Sequence, residues 1–126
     1  MIDHVSIGVS DLARSAAFYT AVLEPLSLTQ LVATETRIGF GKRYPELWLN
    51  LRSGMPRVEN TGAHVCLRTR TKEAVDRFHA AALANGGRDD GAPRDRQATM
   101  TAYYAGFVRD PDGNRLEAAS FPESRG

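Results

Sequence analysis

Three residues in this chain could together hold a divalent cation. His4, His64 and Glu117 supply two imidazoles and a carboxylate. That donor set binds iron(II), manganese, nickel or zinc and leaves coordination positions open. His4 lies in residues 2–9, where Val5, Ile7 and Val9 fall on one face and His4, Ser6 and Gly8 on the other, an alternation that predicts a strand. His64 opens Ala63-His64-Val65-Cys66-Leu67, which copies Asp3-His4-Val5-Ser6-Ile7 sixty residues later. Glu117 follows Asp110-Pro111-Asp112-Gly113, a reverse turn in which Pro presets φ and Gly accepts a positive one. From 115 to 120, Leu116 and Ala118 point one way while Arg115, Glu117 and Ala119 point the other. Glu117 therefore stands mid-strand on the face away from the core, a costly place for a carboxylate unless water or a cation meets it.

The elements that must position these residues repeat. Ser10 or Asp11 can cap a helix in which Leu12, Ala16, Tyr19 and Leu23 recur at helical spacing, and Pro25 should end it. Strands are expected near 28–33, 36–40 and 46–52, the last with Leu47, Leu49 and Leu51 on one face. Residues 52–62, rich in Gly, Pro and Asn, read as a linker, after which the pattern restarts. Thr71 then stands for Asp11, Phe78 for Phe18 and Leu83 for Leu23, and the second helix, 72–84, ends at Asn85-Gly86-Gly87. His79, beside Phe78, is expected at the surface. Residues 88–101 are polar and are expected as a surface loop or a lid. Residues 103–108 form the strand that pairs with the Glu117 strand. The reading is an α+β protein, one domain over 1–126 built from two βαβββ units of about 1–52 and 63–120. The offset grows to sixty-nine near the ends, pairing Leu47-Trp48 with Leu116-Glu117. If the units form one curved sheet, the three candidate ligands project into one concavity.

Composition narrows the function. With sixteen basic and fifteen acidic residues the net charge is +1, which argues against a dedicated nucleic-acid or membrane surface. One cysteine, Cys66, excludes an internal disulfide and a cysteine-cluster metal site. No apolar run is long enough to span a membrane, and the first residues do not read as a signal peptide. A cytoplasmic protein acting on a small molecule is the expectation.

The runs Asp3-His4-Val5, Gly8-Val9-Ser10-Asp11-Leu12-Ala13-Arg14-Ser15, Phe18-Tyr19, Gly62-Ala63-His64-Val65 and Phe107-Val108-Arg109-Asp110-Pro111-Asp112-Gly113-Asn114-Arg115-Leu116-Glu117 resemble the vicinal oxygen chelate superfamily. That superfamily contains glyoxalase I, extradiol dioxygenases, fosfomycin-resistance enzymes and bleomycin-resistance proteins. The resemblance implies paired βαβββ modules making a cupped mixed sheet, commonly a homodimer, with metal ligands at His4, His64 and Glu117. It implies lyase, isomerase or dioxygenase chemistry on an oxygen-bearing substrate chelated at the metal, with Glu117 as ligand and proton shuttle. Members with four protein ligands carry the remaining one at the position that is Trp48 here, which cannot bind a metal. Glyoxalase I holds the glutathione carboxylate with an arginine where this chain has Gly8, so glutathione is not the expected substrate.

Around the candidate metal, Arg52, Arg94 and Arg96 are candidates for an anionic substrate group. Trp48, Asn50, Met100 and Tyr103 are candidates for the walls of the site, joined by Tyr104. Trp48 also favours a rival from another class, a metal-free module of bleomycin-resistance type that sequesters a small aromatic ligand. Family members pair their modules within one chain or between two, and the sequence does not distinguish these arrangements.

Overall fold

The computed structural model describes residues 1–122. The first unit comprises β1 (Val5–Val9), α1 (Leu12–Leu23), β2 (Thr29–Ala33), β3 (Arg37–Gly41) and β4 (Leu47–Leu51). The second comprises β5 (Val65–Thr69), α2 (Lys72–Ala84), β6 (Arg88–Asp89), β7 (Arg94–Gln97), β8 (Ala102–Arg109) and β9 (Arg115–Ser120). Both helices start on a side-chain cap. Asp11 accepts from the Arg14 amide at 3.0 Å, and Thr71 from the Ala74 amide at 3.1 Å. Pro25 ends α1 but opens a 3₁₀ turn, Glu24–Leu26, where its missing N–H costs nothing.

Two sheets result, ordered β1-β4-β3-β2 and β5-β9-β8-β6, with β7 also paired to β8. In each, the opening strand runs parallel to the closing one across a helical crossover, β1 beside β4 and β5 beside β9. The registers coincide. Ser6 faces Trp48 and Cys66 faces Glu117, so Trp48 and Glu117 are internal counterparts, as the sixty-nine-residue offset implied. One apolar cluster runs through both units: Phe18, Tyr19, Val22 and Leu23 of α1 meet Phe40, Leu47 and Leu49, while Val75, Phe78 and Ala82 of α2 meet Val108, Leu116 and Ala118. The larger of these side chains each contribute about 1.5–3 kcal/mol through burial. No helix among the described residues is long and apolar enough to cross a membrane.

Two expectations are corrected. Residues 88–101 are not a plain loop or lid: β6 and β7 hydrogen-bond to β8 at the sheet edge. Arg94-Asp95-Arg96-Gln97 contains no apolar residue to reveal an alternation, and charge on an edge strand is how edges avoid further pairing. His79 is not at the surface. It is 9% exposed on the inner side of α2, and its Nε2 lies 2.8 Å from Asp89 Oδ1 on β6.

The His79 contact, followed by the Gly91 N–H, holds Asp89 below its ordinary 3.8. A depressed carboxylate stabilises the fold above its unfolded pKa, and that contribution is lost as pH falls through the folded value. Urea unfolding should therefore show Asp89→Asn less stable than the wild type at pH 6, with the gap closing well below pH 3.8. A gap independent of pH would show that the ion pair contributes nothing.

The Asp110–Asn114 turn joins the units. Asp112 accepts from the Ser10 backbone at 3.0 Å, from the Ser10 hydroxyl and from Arg14 Nη2 at 3.1 Å. Asn114 Nδ2 donates to Gly8 O at 2.9 Å. Gly113 has φ +94, and a Cβ there would lie 2.7 Å from Val58 O, so the position requires glycine. The turn that precedes the Glu117 strand thus also grips the β1–α1 corner of the other unit.

Candidate functional site

On the face of the second sheet away from the helices, β9 presents Glu117 and β5 presents Cys66 beside it, with His64 immediately before β5. The contact is direct: His64 Nε2 lies 3.0 Å from Glu117 Oε1. Glu117 is 4% exposed, and its Oε2 is buried with no hydrogen-bond partner among the described residues. A buried carboxylate oxygen left unpaired costs several kcal/mol unless a cation reaches it or a donor does, and the Cys66 thiol and Tyr103 hydroxyl are donors that interact with this carboxylate. Desolvation of its sulfur, and then the Glu117 charge, push the Cys66 thiol up to about 12. Cys66 is therefore protonated at neutral pH and is no nucleophile. Burial and then the same carboxylate raise the Tyr103 hydroxyl above its ordinary value.

Phe107 lies directly opposite Glu117 on β8. The His64 ring stands edge-on to it with centroids 5.7 Å apart. Arg96 and Arg115 lay their guanidinium groups on the same ring, 4.9 and 4.1 Å from its centroid. Glu117 also opens onto a cleft of about 340 Å³ lined by Cys66, Met100, Tyr103 and Phe121, in which Tyr103 stacks on Phe121 at 5.2 Å. Met100, at its rim, is 86% exposed. Phe107 and Arg115 were not among the sequence candidates. The alternation that placed Glu117 also places Arg115 on its face, so that signal was available.

His4 lies elsewhere. Its Nδ1 contacts Asp3 Oδ1 at 2.8 Å, and it lines a cleft of about 440 Å³ where β1 approaches β5, together with Phe40, Lys42 and Arg68. Among the described residues, no three of His, Cys, Asp and Glu are gathered closely enough to hold a metal ion. The structure brings His64 and Glu117 together and leaves His4 apart from them within the chain.

The remaining candidates divide between the sheets. Trp48 lies across Gly39, where a Cβ would come 2.9 Å from its ring, and Arg37 sits 4.7 Å above the ring centroid. Asn50, half-buried, faces Gly8, and exposed Arg52 donates to Leu51 O at 2.8 Å. These three belong with His4 on the first sheet. Arg96, Tyr103 and Met100 belong with Glu117. Arg94 is exposed and donates to the Asp95 carbonyl at 3.4 Å. Tyr104 points to the opposite face from Tyr103 and donates to Asp76 Oδ1 on α2 at 2.6 Å, so it walls no site beside Glu117.

Comparison with known proteins agrees with this architecture. Residues 1–118 match the family model of the Glyoxalase/Bleomycin resistance protein/Dioxygenase superfamily. A glyoxalase/bleomycin resistance protein from Albidiferax ferrireducens is 32% identical, with 94% of this chain and 97% of that one aligned at a TM-score of 0.85. The fold is shared with the fosfomycin resistance protein FosX from Mesorhizobium loti, at 17% identity, 99% and 95% coverage and a TM-score of 0.69. It is shared also with FosX from Listeria monocytogenes, at 18% identity, 98% and 95% coverage and a TM-score of 0.67. Comparison with curated proteins finds no match. Proteins of this family are often dimers that bind small molecules, and they commonly use divalent metals. On the family match and the 32% identical relative, the chain belongs to the glyoxalase/bleomycin resistance protein/dioxygenase superfamily.

Proposed function

We propose that this protein is a divalent-metal-dependent lyase, isomerase or dioxygenase acting on a small oxygen-bearing substrate, and that its site is shared between two copies of the chain. The observation that carries this reading is the His64–Glu117 contact with its buried, unpartnered Glu117 Oε2. An imidazole nitrogen beside a carboxylate with an unused oxygen is two of the three donors of a facial set, so the residues fit a metal such as iron, manganese, nickel or zinc. His64 and Glu117 would hold it from one chain, and His4 of a second copy would complete the set. When bound, the metal supplies a Lewis acid that chelates substrate oxygens and stabilises developing negative charge. The chain's own work is to keep the carboxylate desolvated beneath Phe107 and His64, to offer Glu117 as the proton carrier, and to wall the site with Tyr103 and Met100.

A second reading rests on Trp48. A planar ligand would stack on this half-buried indole in place of the Arg37 guanidinium, which now lies 4.7 Å from the ring centroid. A metal-free binding module would use it without the histidines.

Equilibrium dialysis of the chelator-treated protein against manganese and zinc separates the two. The first reading expects about one ion per chain, with affinity lowered by about a hundredfold or more in His64→Ala and in Glu117→Gln, since a lost ligand costs more than a lost supporting contact. A wild type that binds neither ion overturns it.

A further inference from the structure

We propose that the ligand of this site carries an oxyanion, a carboxylate, phosphonate or phosphate monoester, and that Arg96 is the residue that grips it. This rests on reading the His64–Glu117 face as a ligand site, and it extends that reading to the class of ligand.

The charges around Phe107 do not balance. Asp90 Oδ2 is shared by Arg115 Nε at 2.6 Å and Arg109 Nε at 3.1 Å, so one carboxylate already serves two guanidinium groups. Glu117 is engaged by His64. Among the described residues, Arg96 has no carboxylate within ion-pair distance. Its Nε donates to Ala105 O at 2.9 Å and its Nη2 to Ala92 O at 3.0 Å. Those two bonds use two of its five N–H donors, and the other three stay uncommitted among the described residues. A bound divalent cation would add still more positive charge to this face.

Arg96 is also held in place. Two carbonyls and the face of Phe107 fix its plane, and the residue is only half-exposed. Gly91 makes the room: a Cβ there would lie 3.1 Å from Arg96 Nη2 and 3.3 Å from Phe107 Cδ1. A solvated surface arginine swings freely and loses that freedom on binding. A planar fork already immobilised loses little, which is what recognition of a carboxylate or phosphonate requires. Arg115, paired with Asp90, lies against the same ring, 4.1 Å from its centroid. Of the other arginines the sequence offered, Arg52 lies on the first sheet and Arg94 is exposed and unanchored by any carbonyl beyond its neighbour's.

Methylphosphonate is a suitable probe, with its uncharged dimethyl ester as the control for shape. Binding to the full-length protein is measured by NMR titration at low ionic strength, once metal-free and once loaded with manganese or zinc at the dialysis-determined level. The proposal expects methylphosphonate to bind and the ester not to. Arg96→Gln should weaken binding about tenfold or more, and Arg96→Lys less, because a charge-assisted fork is lost in the first and only its geometry in the second. Arg77→Gln, on the outer face of α2, should bind as the wild type does. Metal affinity should be unchanged in Arg96→Gln. Equal binding by wild type and Arg96→Gln, equal weakening by Arg96→Gln and Arg77→Gln, or binding of the ester as tight as the acid overturns the proposal, as does a wild type that binds no methylphosphonate in either state. A protein that takes up no metal yet loses methylphosphonate with Arg96→Gln sinks the metal reading alone. One that binds metal with no dependence on Arg96 sinks only the anion grip.

Discussion

Asp110→Ala should lower the melting temperature by roughly 10–15 °C, the size of shift that a loss of about 3–5 kcal/mol produces in a chain of this length. Asp110 is fully buried. Its carboxylate accepts from the Tyr19 hydroxyl at 2.6 Å, from Asn114 Nδ2 at 2.9 Å, and from the Asp112 and Asn114 amides at 2.9 and 2.8 Å. Alanine leaves those donors without their acceptor in a space water does not reach, and the whole desolvation cost falls due. The damage spreads, because Asp112 and Asn114 hold Ser10, Arg14 and Gly8 of the first unit. Tyr19→Phe removes a single bond to the same carboxylate and should cost only about 1–2 kcal/mol. Burial raises the Asp110 pKa, against the pull of its four donors. Its contribution is therefore greatest below pH 3.8 and declines as pH rises through the folded value, and Asp110→Asn should flatten that part of the stability profile. Thermal and urea unfolding at pH 7 check the main effect. An Asp110→Ala variant within about 1 kcal/mol of the wild type, the ordinary cost of a substitution, would mean that the turn does not clamp the two units together.

The same turn shows what was legible beforehand. Pro111 and Gly113 announce a reversal by their backbone preferences, and Gly113 does take a positive φ. The alternation in β1, β4, β5 and β9 is readable because each strand buries one face against a helix, so apolar residues recur every second position. β6 and β7 bury no such face. Four polar residues in a row carry no periodic signal, although they pair as well as any others. His79 was misjudged for a related reason: its polarity suggested solvent, but a helix face is decided by angle, and a partner on β6 satisfies the ring. At the site, the alternation put Glu117 and His64 on one face of one sheet, where they touch. Periodicity says which face a side chain takes but not which neighbouring edge that face will meet, and so the position of His4 relative to the others was not there to be read.

That unread step has a direct test, because a site shared between copies can be rebuilt from two broken chains. His4→Ala should lose metal binding, and His64→Ala should lose it too, since each homodimer lacks one ligand at both sites. Unfolded together in equal amounts and refolded, they should regain it in part. In a mixed dimer, one site takes His4 from the His64→Ala chain and both His64 and Glu117 from the His4→Ala chain, and is intact. The other site lacks both histidines. Random pairing of chains in a two-fold dimer gives mixed dimers about half of the time, so about one quarter of the wild-type metal content should return. The Arg96-dependent binding of methylphosphonate need not follow that fraction, because Arg96, Arg115 and Phe107 all belong to the chain that keeps Glu117. A mixture that regains no metal, from chains that each fold and dimerise, would confine the ligands to one chain and remove the second copy from the site. Recovery near one quarter, falling as either variant is made the excess, has no single-chain explanation: no chain in the mixture contains both histidines, so the intact set must be assembled across the interface.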